Sequence, residues 1–242
     1  MPFTFSHPAL VLPLKKRMPD HLSLTGLVVG SMIPDFEYFL RLKPLSVYSH
    51  TFWGLFYFDL PLALAVCFLF HFVVRSRLID QLPNILYQRL YTLRSFRWGA
   101  YFKAHRLGVL LSILIGAITH LLWDAFTHTE GFFVQQIPFL SQTYILASWE
   151  VPGYKLAQHG STVVGALVLC AVVLKLPRNR SVTNSFSWSY WMLLIATVGV
   201  VIGMRWLLGL PWHLVGSWVV TAISAGMLGV LVASLSGVGR RS

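Results

Sequence analysis

The sequence predicts an all-α, polytopic helical membrane protein with about six transmembrane helices. Three observations carry that expectation. Of 242 residues, 56% are hydrophobic and only 11% are charged, whereas a soluble domain carries about 25% charged residues. Mean hydropathy is +0.66. The apolar residues also gather into runs of the length that crosses a bilayer, about 17–25 residues. A soluble domain of this size leaves roughly a quarter of its unfolded surface in contact with water, so this composition excludes a cytosolic enzyme, a disordered chain and a secreted disulfide scaffold.

Ser6 is a good N-cap and Pro8 a good first helical residue, which opens a short helix over 7–17. At about 16 Å that helix is too short to span. It is either a surface helix or half of a re-entrant hairpin that carries His7 into the bundle. The first span, 22–40, is the weakest, because it ends in Pro34, Asp35 and Glu37. Clearer spans follow at 52–74, 107–126, 158–176, 189–209 and 213–235. Between them lie a basic, aromatic loop over 75–106 and an outer loop over 127–157 punctuated by Gly131, Pro138, Pro152 and Gly153. No repeat stands out, so residues 1–242 read as a single helical membrane domain. Cys67 and Cys170 sit in apolar runs and read as core residues. The apolar stretch 3–14 precedes its charges, unlike an ordinary signal peptide.

Charge placement orients the spans. Lys and Arg number 19 against 8 Asp and Glu. With six spans and both termini inside, fifteen of the nineteen fall on the cytoplasmic face, among them Lys15–Arg17, the basic residues of 75–106, and Arg240 and Arg241. Asp35, Glu37, Asp59, Asp124, Glu130 and Glu150 lie toward the outer half. Within the 75–106 loop, residues 89–106 read as an interfacial helix on anionic leaflet lipid. The expected partners are therefore membrane lipids and not nucleic acid, and the oligomeric state is open.

Charged residues inside spans are expensive and mark functional sites. In Thr119–His128, the residues His120, Asp124, Thr127 and His128 recur at i, i+4, i+7 and i+8 and share one helical face. Two imidazoles and a carboxylate so stacked suit a metal ion, or else a helix-internal His–Asp hydrogen bond. Asp35 and Glu37 appear where Pro34 breaks a helix and need a partner there. Counted from the nearest cytoplasmic charges, Asp35, His120, Asp124 and His159 all lie roughly 21–27 Å from the inner face. His50, farther out, either closes over that layer or lies on the surface. His128 joins the ligand face, and Arg205 either snorkels or meets an anionic headgroup.

Together the opening Met1–Ala9, the Gly30-Ser31…Pro34-Asp35-Phe36-Glu37-Tyr38 stretch, Ser49-His50 and Thr119-His120…Asp124…Thr127-His128 resemble an uncharacterised bacterial integral-membrane family of unknown function. More distantly, the pattern is similar to membrane-bound metal-dependent hydrolases related to zinc-dependent phospholipase C. The resemblance implies a bacterial inner-membrane protein with a metal centre built from His7, Asp35, His50, His120 and Asp124. The distant family's acidic pair is Asp-x-Asp, where this chain has Asp35-Phe36-Glu37.

The function expected from these readings is a metal-dependent hydrolase acting on a lipid or headgroup ester or phosphoester at the outer side. Its cofactor is a divalent metal, zinc first, with manganese or iron as alternatives. Glu37 or Glu150 would take a proton from the attacking water, and 127–157, with Trp149, Glu150 and Tyr154, would form a lid. The alternative is a non-catalytic transporter or assembly protein with a polar intramembrane cluster.

Overall fold

The computed structural model describes residues 3–238; Met1, Pro2, Arg240 and Arg241 lie outside the described residues. Among them five helices are long and apolar enough to cross a membrane: Leu55–Asp80, Arg106–Asp124, Gly153–Lys175, Trp188–Leu207 and Val215–Leu235. Their outer faces are apolar; Val163, Val164, Leu167, Ile195, Val200 and Leu207 are all exposed. Lipid is the solvent that such faces need. The chain is thus a helical membrane protein. Among the described residues the only strands form an antiparallel hairpin in the 127–157 loop, Thr143–Leu146 against Trp149–Pro152, with Ile145 opposite Glu150.

The 22–40 segment corrects the sequence reading, since it is not one continuous helix. It divides into Leu24–Gly30, a 3₁₀ turn over Ile33–Asp35 and a helix over Phe36–Arg41. Pro34 has no N–H for the ladder and breaks it there. The 52–74 span runs instead from Leu55 to Asp80, with π-helical turns at Leu55–Asp59 and Phe70–Val74. The 75–106 loop does not hold the helix expected over 89–106 as one piece either. Beyond Asp80 it is broken into Asn84–Leu90, a 3₁₀ turn over Tyr91–Ser95, and Trp98–Ala104.

The residues group into two compact units. One takes the described residues up to Asp35, together with Tyr48–Leu64 and Ala104–Val172; the other takes Phe36–Val47, Ala65–Lys103 and the described residues from Val173 on. In the first unit, Leu24–Gly30 crosses Arg106–Asp124 at backbone distance. A Cβ on Gly30 would lie 2.2 Å from the Ile113 carbonyl oxygen, and one on Gly116 2.5 Å from that of Leu27. Only small residues allow so close a crossing. Ser112 stitches it further, its Oγ accepting from Ser23 N at 2.7 Å. The N-terminal segment docks on Gly153–Lys175: Ser6 Oγ donates to the Thr162 carbonyl at 3.0 Å, and Gly165 leaves room for Ser6. Trp123 Nε1 donates to Ser161 Oγ at 3.1 Å. These contacts bring the start of the chain and two long helices to one place.

In the second unit Trp188–Leu207 packs antiparallel on Val215–Leu235, where Gly229 faces the Leu194 backbone and Tyr190 meets Ser234 at 3.2 Å. Ser224 Oγ donates to the Phe39 carbonyl at 2.9 Å. Arg205 Nη2 donates to the Leu42 carbonyl at 3.2 Å. Cys67 is buried, but Cys170 is exposed. Its helix is apolar on its outer side as well as its inner one, so apolar neighbours do not signal core.

Candidate metal centre

Four of the predicted ligands converge. Asp35 comes from the 3₁₀ turn after the broken helix, His50 from the loop before Leu55, and His120 and Asp124 from the last turns of Arg106–Asp124. One donor atom from each lies within 4.8 Å of the other three. His120 Nε2 is 3.3 Å from Asp124 Oδ2 and 3.5 Å from Asp35 Oδ1. His50 Nε2 is 3.5 Å from Asp124 Oδ2 and 3.6 Å from Asp35 Oδ1.

These separations bear on the two readings of the cluster. A hydrogen bond between imidazole and carboxylate closes to about 2.7–3.2 Å. Two donors held about 2.0–2.1 Å from one tetrahedral ion lie about 3.3–3.4 Å apart. The observed spacing matches an ion's ligand shell better than a hydrogen-bonded network. Moreover, Asp35 Oδ1, His120 Nε2 and both Asp124 carboxylate oxygens are buried with no hydrogen-bond partner, a costly state for polar atoms unless something sits between them.

The outer side of each ligand is held. His120 Nδ1 lies 2.8 Å from the Ser31 carbonyl. A carbonyl only accepts, so Nδ1 carries the proton and Nε2 keeps its lone pair for the centre. His7 Nδ1 is 3.2 Å from the Thr4 carbonyl in the same manner, and His50 Nδ1 is 3.0 Å from Ser49 Oγ. Asp35 Oδ2 accepts from Thr4 Oγ1. His50 sits at φ 56°, a left-handed backbone uncommon outside glycine that turns its ring inward.

His7 also arrives at the site. Its ring stacks on His120 with centroids 4.0 Å apart, and its Nε2 faces Asp124 Oδ1 at 3.6 Å. His128 stands on the other side of that oxygen, Nδ1 to Oδ1 3.5 Å, with Nδ1 also 3.1 Å from the Asp124 carbonyl. Asp124 therefore turns one oxygen to His50 and His120 and the other to His7 and His128. Asp35 and His120 are fully enclosed, whereas the side chains of His50 and His128 are 20% and 34% exposed, so the cluster reaches the surface along one edge.

His159 is exposed on Gly153–Lys175, and its neighbour Gln158 takes the inward position. Its height in the chain fits; its direction around the helix, about 100° per residue, does not. Glu37 is buried in the second unit. Its Oε1 accepts from Arg41 Nε at 2.8 Å and Val47 N at 2.9 Å, and its Oε2 from Ser46 Oγ at 3.2 Å. Glu150 is exposed on the hairpin.

A family model matches residues 1–235. The chain belongs to the DUF4184 family, a domain of unknown function. No curated protein and no solved structure matches it. The matched DUF4184 region takes in every residue of the cluster.

Sequence reasoning missed the holding residues Thr4, Ser31 and Ser49, because a side chain that orients a ligand need not itself be of a ligand type. Thr4→Val keeps the shape and removes the donor to Asp35. It is expected to weaken metal binding by about 10–100-fold, as read by titration with a chromophoric chelator; unchanged affinity would deny Thr4 that role.

Burial works against a charged His50, but the Asp124 and Asp35 carboxylates outweigh it and raise its pKa above the ordinary 6.5. In metal-free protein its stabilising contribution is therefore complete below pH 6.5 and lost as pH rises through the raised value. A metal competes for the same Nε2, so metal affinity is expected to climb over that interval. Affinity that stays flat from pH 6 to 8 would contradict this.

Proposed function

We propose that Asp35, His50, His120 and Asp124 bind a divalent metal and that the protein is a membrane-embedded metal-dependent hydrolase. The observation that carries this reading is the set of four buried donor atoms, spaced as ligands and open along the His50–His128 edge. Two imidazoles and two carboxylates suit zinc, with manganese or iron next. When bound, such an ion supplies a Lewis acid and acidifies water. His7 supports Asp124 from the far side, and His128 flanks the entrance. With four protein ligands, room for water or substrate would require the ion to accept a fifth donor, and the exposed His50–His128 edge is the side from which it would approach.

The substrate class proposed is a lipid or headgroup ester or phosphoester at the outer side of the membrane. The supporting argument is depth: Asp35, His120 and Asp124 count to the outer half from the cytoplasmic basic residues. Six crossings, with the interrupted 22–40 segment as the first and the Pro8–Arg17 helix as a re-entrant arm, would put both termini on the cytoplasmic side of a bacterial inner membrane. One membrane domain over the full chain accords with a family match that spans both units. For proton transfer, Glu150 on the exposed hairpin is the better of the two carboxylates, since Glu37 already accepts three hydrogen bonds.

The test is turnover of lipid phosphodiesters and acyl esters in mixed micelles by metal-loaded protein. Turnover in the parent and at least about a 100-fold loss in His120→Ala would support the hydrolase. Bound metal with no turnover of either class would favour the non-catalytic transporter or assembly reading.

A further inference from the structure

The second unit contains a buried cation that none of its described carboxylates neutralises. Arg75 ends the π-helical turn Phe70–Val74 and is only 8% exposed. Its Nη1 donates to His71 Nδ1 at 2.7 Å and its Nη2 to the Arg94 carbonyl at 3.3 Å. Both are neutral acceptors, because a ring nitrogen that accepts from a guanidinium is unprotonated. Arg75 Nε is buried without a hydrogen-bond partner. The carboxylate at the other end of the Arg75–Asp80 helix, that of Asp80, is engaged by Arg94 at 2.6 and 3.1 Å. A guanidinium cannot shed its proton, and a buried charge without a counter-charge is strongly unfavourable.

A cavity of about 310 Å³ adjoins this group, lined by His71, Phe72, Arg75, Phe96, Arg97 and Trp98. His71 is held flat against Trp98, centroids 4.4 Å apart at 6°, and Arg75 lies over the Phe96 ring at 5.8 Å. Arg97 is exposed, as is Phe72, at 65%. The cavity thus combines a buried guanidinium, a second guanidinium and an exposed apolar wall.

We propose that this cavity binds a phosphate group, and that the group belongs to an anionic phospholipid whose acyl chain lies along Phe72. An oxyanion supplies the missing negative charge and accepts from the planar guanidinium fork. Basic pockets beside membrane helices recognise lipid headgroups by the same chemistry. Arg75 makes this a built site, distinct from general attraction of the basic loop to the leaflet, and independent of the metal centre.

The test uses the full chain in neutral detergent, with dioctanoyl phosphatidylglycerol, inorganic phosphate and dioctanoylglycerol as probes, read by thermal shift. Saturable stabilisation by phosphatidylglycerol is expected, weakened at least about tenfold in Arg75→Gln and to a smaller extent in Arg97→Gln. Arg97 is exposed, so its variant guards against a trivial folding defect, and helical circular dichroism with a cooperative unfolding transition serves as the folding check in both. If inorganic phosphate saturates the site and excludes phosphatidylglycerol, the phosphate site stands but its natural source is a free phosphate. Equal binding of dioctanoylglycerol, no saturable binding of either phosphate probe, or binding unchanged in both variants would overturn the proposal.

Discussion

Asp124→Asn is expected to abolish metal-dependent stabilisation while preserving the shape of the site. In the parent, metal at a hundredfold excess over Kd should contribute about 2.7 kcal/mol, or roughly 5–10 °C in Tm for a chain of this size. The variant should show none of it. The reason lies in the position of Asp124, whose Oδ2 meets His50 and His120 and whose Oδ1 meets His7 and His128. Asp124 thus faces four histidines at ion-pair distance, where Asp35 faces two. Asparagine keeps one acceptor oxygen but loses the charge that makes the pair of carboxylates attractive to a dication. Loss of metal affinity is expected to exceed about 100-fold, the upper end of what removing an outer-sphere partner does. A variant whose Tm rises with metal as far as the parent's would remove Asp124 from the ligand set.

The second large effect is expected at Gly30, which supplies no ligand atom itself. A methyl there would lie 2.2 Å from the Ile113 carbonyl oxygen and 2.8 Å from its Cα. Backbone cannot rotate aside as a side chain can, so Leu24–Gly30 and Arg106–Asp124 must separate by on the order of 1 Å. Overpacking of this kind costs about 1–3 kcal/mol, sometimes more. It should also cost the metal, because Ser31, the next residue, supplies the carbonyl that fixes His120. Gly116→Ala, which meets Leu27 O at 2.5 Å, should behave alike, and Gly26→Ala, with nearest contacts of 2.9 Å, more mildly. Gly199→Ala is the control. Nothing lies within 4 Å of a Cβ there, so the better helix former should stabilise by up to about 1 kcal/mol. Thermal unfolding together with metal titration reads the whole series. Equal effects at Gly30 and Gly199 would mean that the close crossing does not hold the site.

Much of this was legible before any coordinates. The five long spans are largely apolar runs, and lipid imposes that pattern directly. His120 and Asp124 announced themselves by one-turn spacing within such a run, and Asp35 by standing at Pro34. The sequence was less informative wherever direction, and not distance along the chain, decided the outcome. His159 matched its neighbours in depth yet points outward, one residue away from the inward Gln158. His50 reaches the cluster through a left-handed backbone that no side-chain pattern encodes. The break at Pro34 was legible too, although 22–40 still counted as a span. Gly26-x-x-x-Gly30 and Ser112-x-x-x-Gly116 were an unread signal of close helix crossing. Thr4 was visible only as a letter in the opening stretch, and its bond to Asp35 depends on where the N-terminal segment docks.

The most direct test of the metal centre is elemental analysis of the purified protein in detergent, beside His120→Ala and His159→Ala. The account predicts about one equivalent of zinc, manganese or iron in the parent and in His159→Ala, and its loss in His120→Ala while folding persists. Absence of metal from the parent even after reconstitution, or equal metal in His120→Ala, would contradict it and leave the cluster as a polar packing or transport network.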